Sequence, residues 1–265
     1  MVRKSFEKIY MAVILIFMYA PIVTMIVFSF NGSKSRAKWG GFSVKWYTEL
    51  FSNAKIMRAL WNTLSVAFLS MIIATLIGTV TCIALMGLKR RSRTVIMGLS
   101  NIPMINADIV TGISLMLLFH ATGFQTGYWT VLISHITFNI PFVMLSVLPR
   151  LKQVEPSVYE AALDLGATPV YAFRKTVLPD IMPAVISGAL MAFTMSLDDF
   201  IITYFTKGSG TGFETLSTLI YSETKKGVKP EMYALSALIF ISVILLLFFS
   251  DRIPKWRAPH EEQTP

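Results

Sequence analysis

One cysteine, three histidines and few charged side chains set the first limits on this 265-residue chain. A lone thiol, Cys82, makes an intrachain disulfide impossible and rules out a cysteine-based metal framework. It falls inside an apolar run and is expected to be a small packing residue. His120, His135 and His260 show no ligand spacing, so no metal site is predicted. No G-x-x-x-x-G-K-[ST] occurs, and Lys207-Gly208-Ser209-Gly210-Thr211-Gly212 lacks the Lys-Ser/Thr ending that would cradle a phosphate. No nucleophile–base arrangement stands out either, and the chain is not expected to be an enzyme or to bind a cofactor. Charged residues make up only 15%, so a solvated surface of ordinary size is excluded.

What fills the space is apolar. Hydrophobic residues account for 54% of the chain and mean hydropathy is +0.60, the composition of an integral membrane protein. A span needs about 20 apolar residues. Six runs meet or approach that length, at about 9–30, 61–86, 94–119, 128–148, 183–206 and 233–250. No ten-residue alternation of a lipid-facing barrel is present, so an all-α, six-helix membrane domain over 1–265 is predicted. The first run follows Arg3, Lys4 and Lys8, but it is too long for a signal h-region and ends at Asn31-Gly32-Ser33 without a small-residue cleavage pattern. It reads as a retained helix. Pro21, Pro103 and Pro141 predict kinks.

Lys and Arg are biased between the two sides. With the N-terminus inside, segments 1–8, 87–93, 149–182 and 251–265 hold 14, and the equally long outer set holds 10. The Lys89-Arg90-Arg91-Ser92-Arg93 cluster in a very short loop is the strongest vote for N-in and C-in. The net charge of +9 then fits anionic headgroups, with no need of nucleic acid. Residues 252–265, basic then acidic with prolines, read as a disordered tail.

Loop 150–182 is thereby placed in the cytoplasm. Ser157 with Glu160 three residues on forms an apparent capping box, and Gly166 is placed to end the helix in a left-handed conformation. Thr168-Pro169 offers a new N-cap and N1. A helix of about two turns is marginal alone in water, and its small face, Ala161 and Ala162, suits a groove on another protein.

Three acids lie within predicted spans: Asp108, Asp198 and Asp199. Each costs about 2.5–3.5 kcal/mol at a helix centre. Counting 1.5 Å per residue puts Asp108 about 21 Å and Asp198 about 22 Å along their spans, at similar heights. One reading is a path for a cationic solute, with Phe200 and Tyr204 adding cation–π contacts. The other is that the acids pair with Ser196, Thr203 or Asn106 and fix packing. His135, near Thr137 and Asn139, is expected to be packed and hydrogen-bonded. Outside, Val44 to Phe51 predicts a short amphipathic helix with Trp46 and Tyr47 at headgroup level, either a docking rim for a protein or an interfacial anchor.

The run Glu160-Ala161-Ala162-x3-Gly166-x9-Thr176-x-Leu178-Pro179 resembles the EAA loop of binding-protein-dependent ABC importer permeases, with Thr176 where that family usually has Ile. Trp39-x-Gly41-Phe42, Trp46-Tyr47, Asp108-Ile109, Ser196-Leu197-Asp198-Asp199 and Gly227-Val228-x-Pro230-Glu231 are similar to the polyamine permeases within it. The resemblance implies a type I importer fold in the bacterial cytoplasmic membrane, with Ser157, Glu160, Ala161, Ala162, Gly166, Leu178 and Pro179 in the segment that couples to an ATPase. It further implies a second, homologous permease subunit, two copies of a cytoplasmic ATPase that uses ATP and Mg, and an extracytoplasmic solute-binding protein. The solute path would include Asp108, Asp198, Asp199, Ser196, Tyr204 and Trp46. Related permeases for opines or phosphonates, and an ion-coupled cation carrier, stand as alternatives.

Overall fold

The computed structural model describes residues 2–34, 38–227 and 229–252. The tail expected from 252 onward lies, Arg252 apart, outside them. The described residues are helical apart from short connections and a single bridge between Asn31 and Phe42. Four helical stretches are long and apolar enough to cross a membrane: Glu7–Ser29, Ala54–Gly87, Tyr128–Leu151 and Pro169–Asp198. A fifth consists of two helices bent by 106°. The sixth expected span falls in α12 (Pro230–Arg252), whose described apolar part is Pro230–Ser242.

The described residues form two compact units, one within 2–57 and 220–252 and the other of residues 58–219. In the first, α1 (Val2–Ser29) packs on α12, and α2 (Lys45–Ser52) packs on α12 as well. The amphipathic pattern read over Val44 to Phe51 is this helix. Its inner face is Trp46 and Leu50, one turn apart and buried. The Trp46 indole N–H donates to Asn31 O, and Tyr47 shares a 2.7 Å hydrogen bond with Ser29 Oγ.

An ion cluster closes this unit. Glu223, on α11 (Leu216–Lys226), meets Lys229 at 3.1 Å and Lys55 at 3.3 Å. The hydrogen bond from Lys229 leads in holding its carboxyl below the ordinary 4.5, against the opposing effect of burial. A carboxylate with a lowered folded pKa contributes stability that is complete above its unfolded value and is lost as pH falls through the folded one. Protection of α11 amides from hydrogen exchange, taken relative to the intrinsic rate at each pH, should therefore hold down to about pH 4.5 and fall below it. Glu223→Gln should remove that acid-dependent component.

In the second unit α3 (Ala54–Gly87), α6 (Tyr128–Leu151) and α9 (Leu178–Asp198) meet through small residues. A Cβ on Gly78 would stand 2.9 Å from Val143 Cγ1, and one on Gly188 3.2 Å from Ser146 Cβ and 3.3 Å from Val143 Cα. Val143 of α6 is thus clasped between glycines of two neighbours, the close approach that small residues permit where lipid offers no hydrophobic drive. Cys82 is buried beside it, in a cluster with Met144, Val147 and Ile181. Gly188→Leu should cost about 1–3 kcal/mol through overpacking. A lower midpoint in detergent unfolding would register it.

Two expectations about spans change. The third span is not one rod: α4 (Arg90–Ile105) stops two residues after Pro103, and α5 (Asp108–Ala121) starts in a new direction. The fifth is helical only to Asp198, then breaks, and α10 (Ile201–Thr206) follows. Depths counted along straight helices therefore do not apply to Asp108. Pro141, by contrast, sits inside a continuous α6.

Candidate functional site: two broken spans and a cytoplasmic-loop helix

Each break carries an acid. Asp108 is the first residue of α5, and Asp198 the last of α9. α5 and α10 pack tightly against each other, and Gly112 makes this possible. A Cβ there would lie 3.1 Å from Phe205 Cδ2 and 3.5 Å from Ile201 O. Asp108 is thus one turn from a residue that touches the start of α10. Asp108 and Asp198 are both exposed in the described chain. Asp198 stands at the carbonyl end of α9, where the helix adds partial negative charge, whereas Asp108 stands at the N-terminus of α5, where the partial charge is positive.

Asp199 is placed differently from its neighbour. Its Oδ1 accepts from the Ile202 N–H at 3.3 Å, and its Oδ2 accepts from the Thr203 N–H at 2.8 Å and the Thr203 hydroxyl at 2.7 Å. It caps α10, whose first N–H groups the break has left open. Of the pairings weighed for the acids, that of Asp199 with Thr203 is present. Ser196 is 3% exposed and bonded within the same unit, to Ser70 Oγ at 2.8 Å. Tyr204 is 42% exposed, has its ring tilted against that of Phe200 with centroids 5.5 Å apart, and has Lys207 Nζ 6.0 Å above its ring. Trp46 belongs to the other compact unit and is buried there.

His135 is packed and hydrogen-bonded, as expected, but not to its sequence neighbours. Thr137 bonds the Ile133 carbonyl, while the His135 ring reaches Ser196 at 3.0 Å and Thr203 at 2.9 Å. Sequence reasoning named Asn139 beside His135 but missed this junction, and missed Ser70 with it. The available signal was the i, i+4 pair His135 and Asn139 on one face of an apolar helix.

The cytoplasmic-loop segment forms α7 (Pro156–Asp164) and α8 (Pro169–Ala172). The capping box is not formed. The N-cap is Glu155 and Pro156 follows it at N1, because proline has no N–H to satisfy and its φ is already helical. Ser157 and Glu160 are therefore exposed residues inside the helix, with no cap hydrogen bond. The other end is as read. Gly166 has φ +88°, its N–H bonds Leu163 O at 2.8 Å, and the Ala167 N–H bonds Ala162 O at 3.1 Å. This is a Schellman closure. Thr168 and Pro169 take the N-cap and N1 positions of α8, without a hydroxyl cap bond. Ala161 is exposed and Ala162 half-buried. No α7 side chain is buried, and Val158, Leu165, Val170 and Tyr171 project apolar surface. A π-helical turn, Phe173–Val177, joins α8 to α9, with Thr176 Oγ1 bonding Ala172 O. Leu178 and Pro179 open α9.

Residues 74–260 match the family described as binding-protein-dependent transport system inner membrane component. The chain is 39% identical over 246 residues to the spermidine/putrescine transport system permease protein PotC of Escherichia coli strain K12, covering 93% of this chain and 92% of that protein. It is also 39% identical over 241 residues to the putrescine transport system permease protein PotI of the same strain, with 88% and 85% covered. A Haemophilus influenzae PotC is 36% identical over 255 residues, 96% and 98% of the two chains. Among solved structures, a bacterial ABC transporter involved in import of the acidic polysaccharide alginate superposes with a TM-score of 0.67 at 19% identity, covering 96% of each chain. This last likeness concerns the fold.

Proposed function

The chain belongs to the binding-protein-dependent transport system inner membrane components, and from that we propose that it is one membrane subunit of an ATP-driven importer of polyamines. The reading is carried by the paired breaks in spans three and five, which place one exposed carboxylate at the start of α5 and another at the end of α9, just ahead of the α10 that packs on α5. A protonated polyamine is a flexible chain of N–H donors with positive charge. Asp108 and Asp198 compensate that charge as the solute passes, and the aromatic faces of Tyr204 and Phe200 add cation–π attraction. Compensation without deep burial suits a path from which the cation must also leave.

The spans make this a multi-pass membrane protein, and we assign its N- and C-termini to the cytoplasm from the distribution of Lys and Arg. The machine then has a second homologous permease subunit, two ATPase subunits that use ATP and Mg, and an extracytoplasmic solute-binding protein. Closure of the ATPases moves α7, and the motion reaches span five through α8 and the π-helical turn. The path thereby alternates between its two openings. No hydrolysis is assigned to this chain.

The test is initial uptake of labelled spermidine and putrescine into membrane vesicles or cells that hold the whole complex. Uptake should collapse when ATP is depleted and persist in the presence of an ionophore. ATP-dependent uptake of an opine or phosphonate with no polyamine transport would assign the same machine another solute. Uptake that follows the ion gradient would replace it with a carrier.

A further inference from the structure

α10 has six residues, too few to hold its shape alone. α6 pins it at two points. At one end Thr130 Oγ1 donates to Thr206 O at 2.8 Å. At the other stands His135, 1% exposed, with Nε2 2.9 Å from Thr203 Oγ1 and 3.3 Å from Asp199 Oδ2.

The hydrogens can be assigned along this junction. The Thr203 hydroxyl gives its hydrogen to Asp199 Oδ2, so its oxygen is free to accept. Nε2 of His135 must therefore carry a hydrogen, directed at Thr203 and Asp199 together. The other ring nitrogen, Nδ1, lies 3.0 Å from Ser196 Oγ. Ser196 in turn receives Asn139 Nδ2 at 2.8 Å and lies 2.8 Å from Ser70 Oγ. One rigid ring thus joins both sides of the break in span five, Ser196 before it and the Asp199–Thr203 cap after it. The junction is anchored to α6 and, through Ser70, to α3. Asp198, which the proposed function places on the solute path, is in the gap between those two attachments.

We propose that His135 is a positioning residue for the solute path: by bridging Ser196 to the Asp199–Thr203 cap it fixes the break in span five and so fixes where the Asp198 carboxylate is presented. This rests on the functional reading above for the solute and for the role of Asp198. The geometry of the break itself does not depend on which solute is carried. An imidazole suits the task because its two nitrogens face opposite partners while the ring packs edge-on to Phe138 at 5.3 Å. A flexible side chain could satisfy one side and leave the other loose.

Two measurements on the assembled complex separate this proposal from the functional reading. In the first, spermidine uptake is followed against concentration for His135→Ala, Thr203→Val and Thr203→Ser, normalised to protein in the membrane. His135→Ala should raise KM by about tenfold and change the maximal rate by less than about threefold, since a displaced carboxylate weakens solute binding more than turnover. Thr203→Val, which removes the nearer of the two acceptors of Nε2 and the hydroxyl bond to Asp199 while leaving a side chain of similar shape, should do the same. Combining the two should add little, because both remove one junction. Thr203→Ser keeps the hydroxyl and should behave as wild type. An unchanged KM in both His135→Ala and Thr203→Val would overturn the proposal, as would a defect in Thr203→Ser equal to that in Thr203→Val.

The second measurement needs no solute. Asp198→Cys is reacted with a polar thiol reagent, with and without Thr203→Val, the native Cys82 being buried. The reaction rate should differ by about fivefold or more when the junction is broken. Equal rates would overturn the positioning role whatever the solute. A wild-type complex that takes up no polyamine, with labelling still altered, would overturn the functional reading and leave the positioning role standing.

Discussion

Asp198→Asn should cut the ratio of maximal rate to KM for spermidine uptake by about 10- to 100-fold, equivalent to about 1.4–2.8 kcal/mol. The size follows from geometry. Removing one partner of a buried, hydrogen-bonded charge pair costs about 2–5 kcal/mol, and Asp198 is exposed at a helix end, so a loss at or below the bottom of that range applies. Asparagine keeps the shape and a carbonyl acceptor, so only the charge is lost. Among the described residues the Asp198 carboxylate bonds no other side chain, and the amount of protein in the membrane should be unaffected. Asp199→Ala should behave differently. It uncovers the N–H groups of Ile202 and Thr203 and leaves His135 facing a vacated cap, so both stability and uptake should fall. Initial uptake rates with quantified protein distinguish the two. Near-normal uptake in Asp198→Asn would remove this carboxylate from the path.

The second large effect belongs to Gly166. Its φ of +88° is a left-handed conformation, and a Cβ there would meet nothing within 4 Å. Bulk is therefore not the obstacle; the backbone is. A β-branched residue at this position is strained by about 1–3 kcal/mol, and relief of that strain opens the Schellman closure between α7 and α8. Gly166→Val should lower uptake by at least about tenfold while the complex continues to hydrolyse ATP, because the lever between motor and span five has lost its fixed angle. Gly166→Asn should retain most of the uptake, since asparagine tolerates the left-handed region. The ratio of solute moved to ATP hydrolysed is the quantity to measure. Equal ratios in glycine and valine proteins would end the coupling argument for this turn.

How far these sites could be read in advance varied with the range of the interaction responsible. Gly166, Thr168 and Pro169 obey rules that act within a few residues, and the structure has them where those rules put them. Ser157 shows the limit of the same reasoning. Two local signals competed, a capping box and a proline at N1, and the proline prevailed because its conformational restriction is covalent. The apolar runs located the spans, but hydropathy is blind to direction. Pro103 hinted at a kink in the third span, yet the 106° turn falls after it, where Asn106 and Ala107 leave the helix. The break at Asp199 had no helix-breaking residue to announce it. It is sustained by a carboxylate folding back onto the N–H groups ahead of it and by an imidazole from another helix.

Sequence by itself therefore determined the solvent this chain lives in, its helical nature, the loop helix and its closing glycine, and the residues by which its family is recognised. These follow from composition, periodicity and contacts between near neighbours. Tertiary structure decided which polar residues share a site. His135 and Thr203 are 68 positions apart, and Ser70 and Ser196 are 126 apart. Inside a membrane a polar side chain must find partners in protein, and only the packing of α3, α6, α9 and α10 determines which partners are within reach.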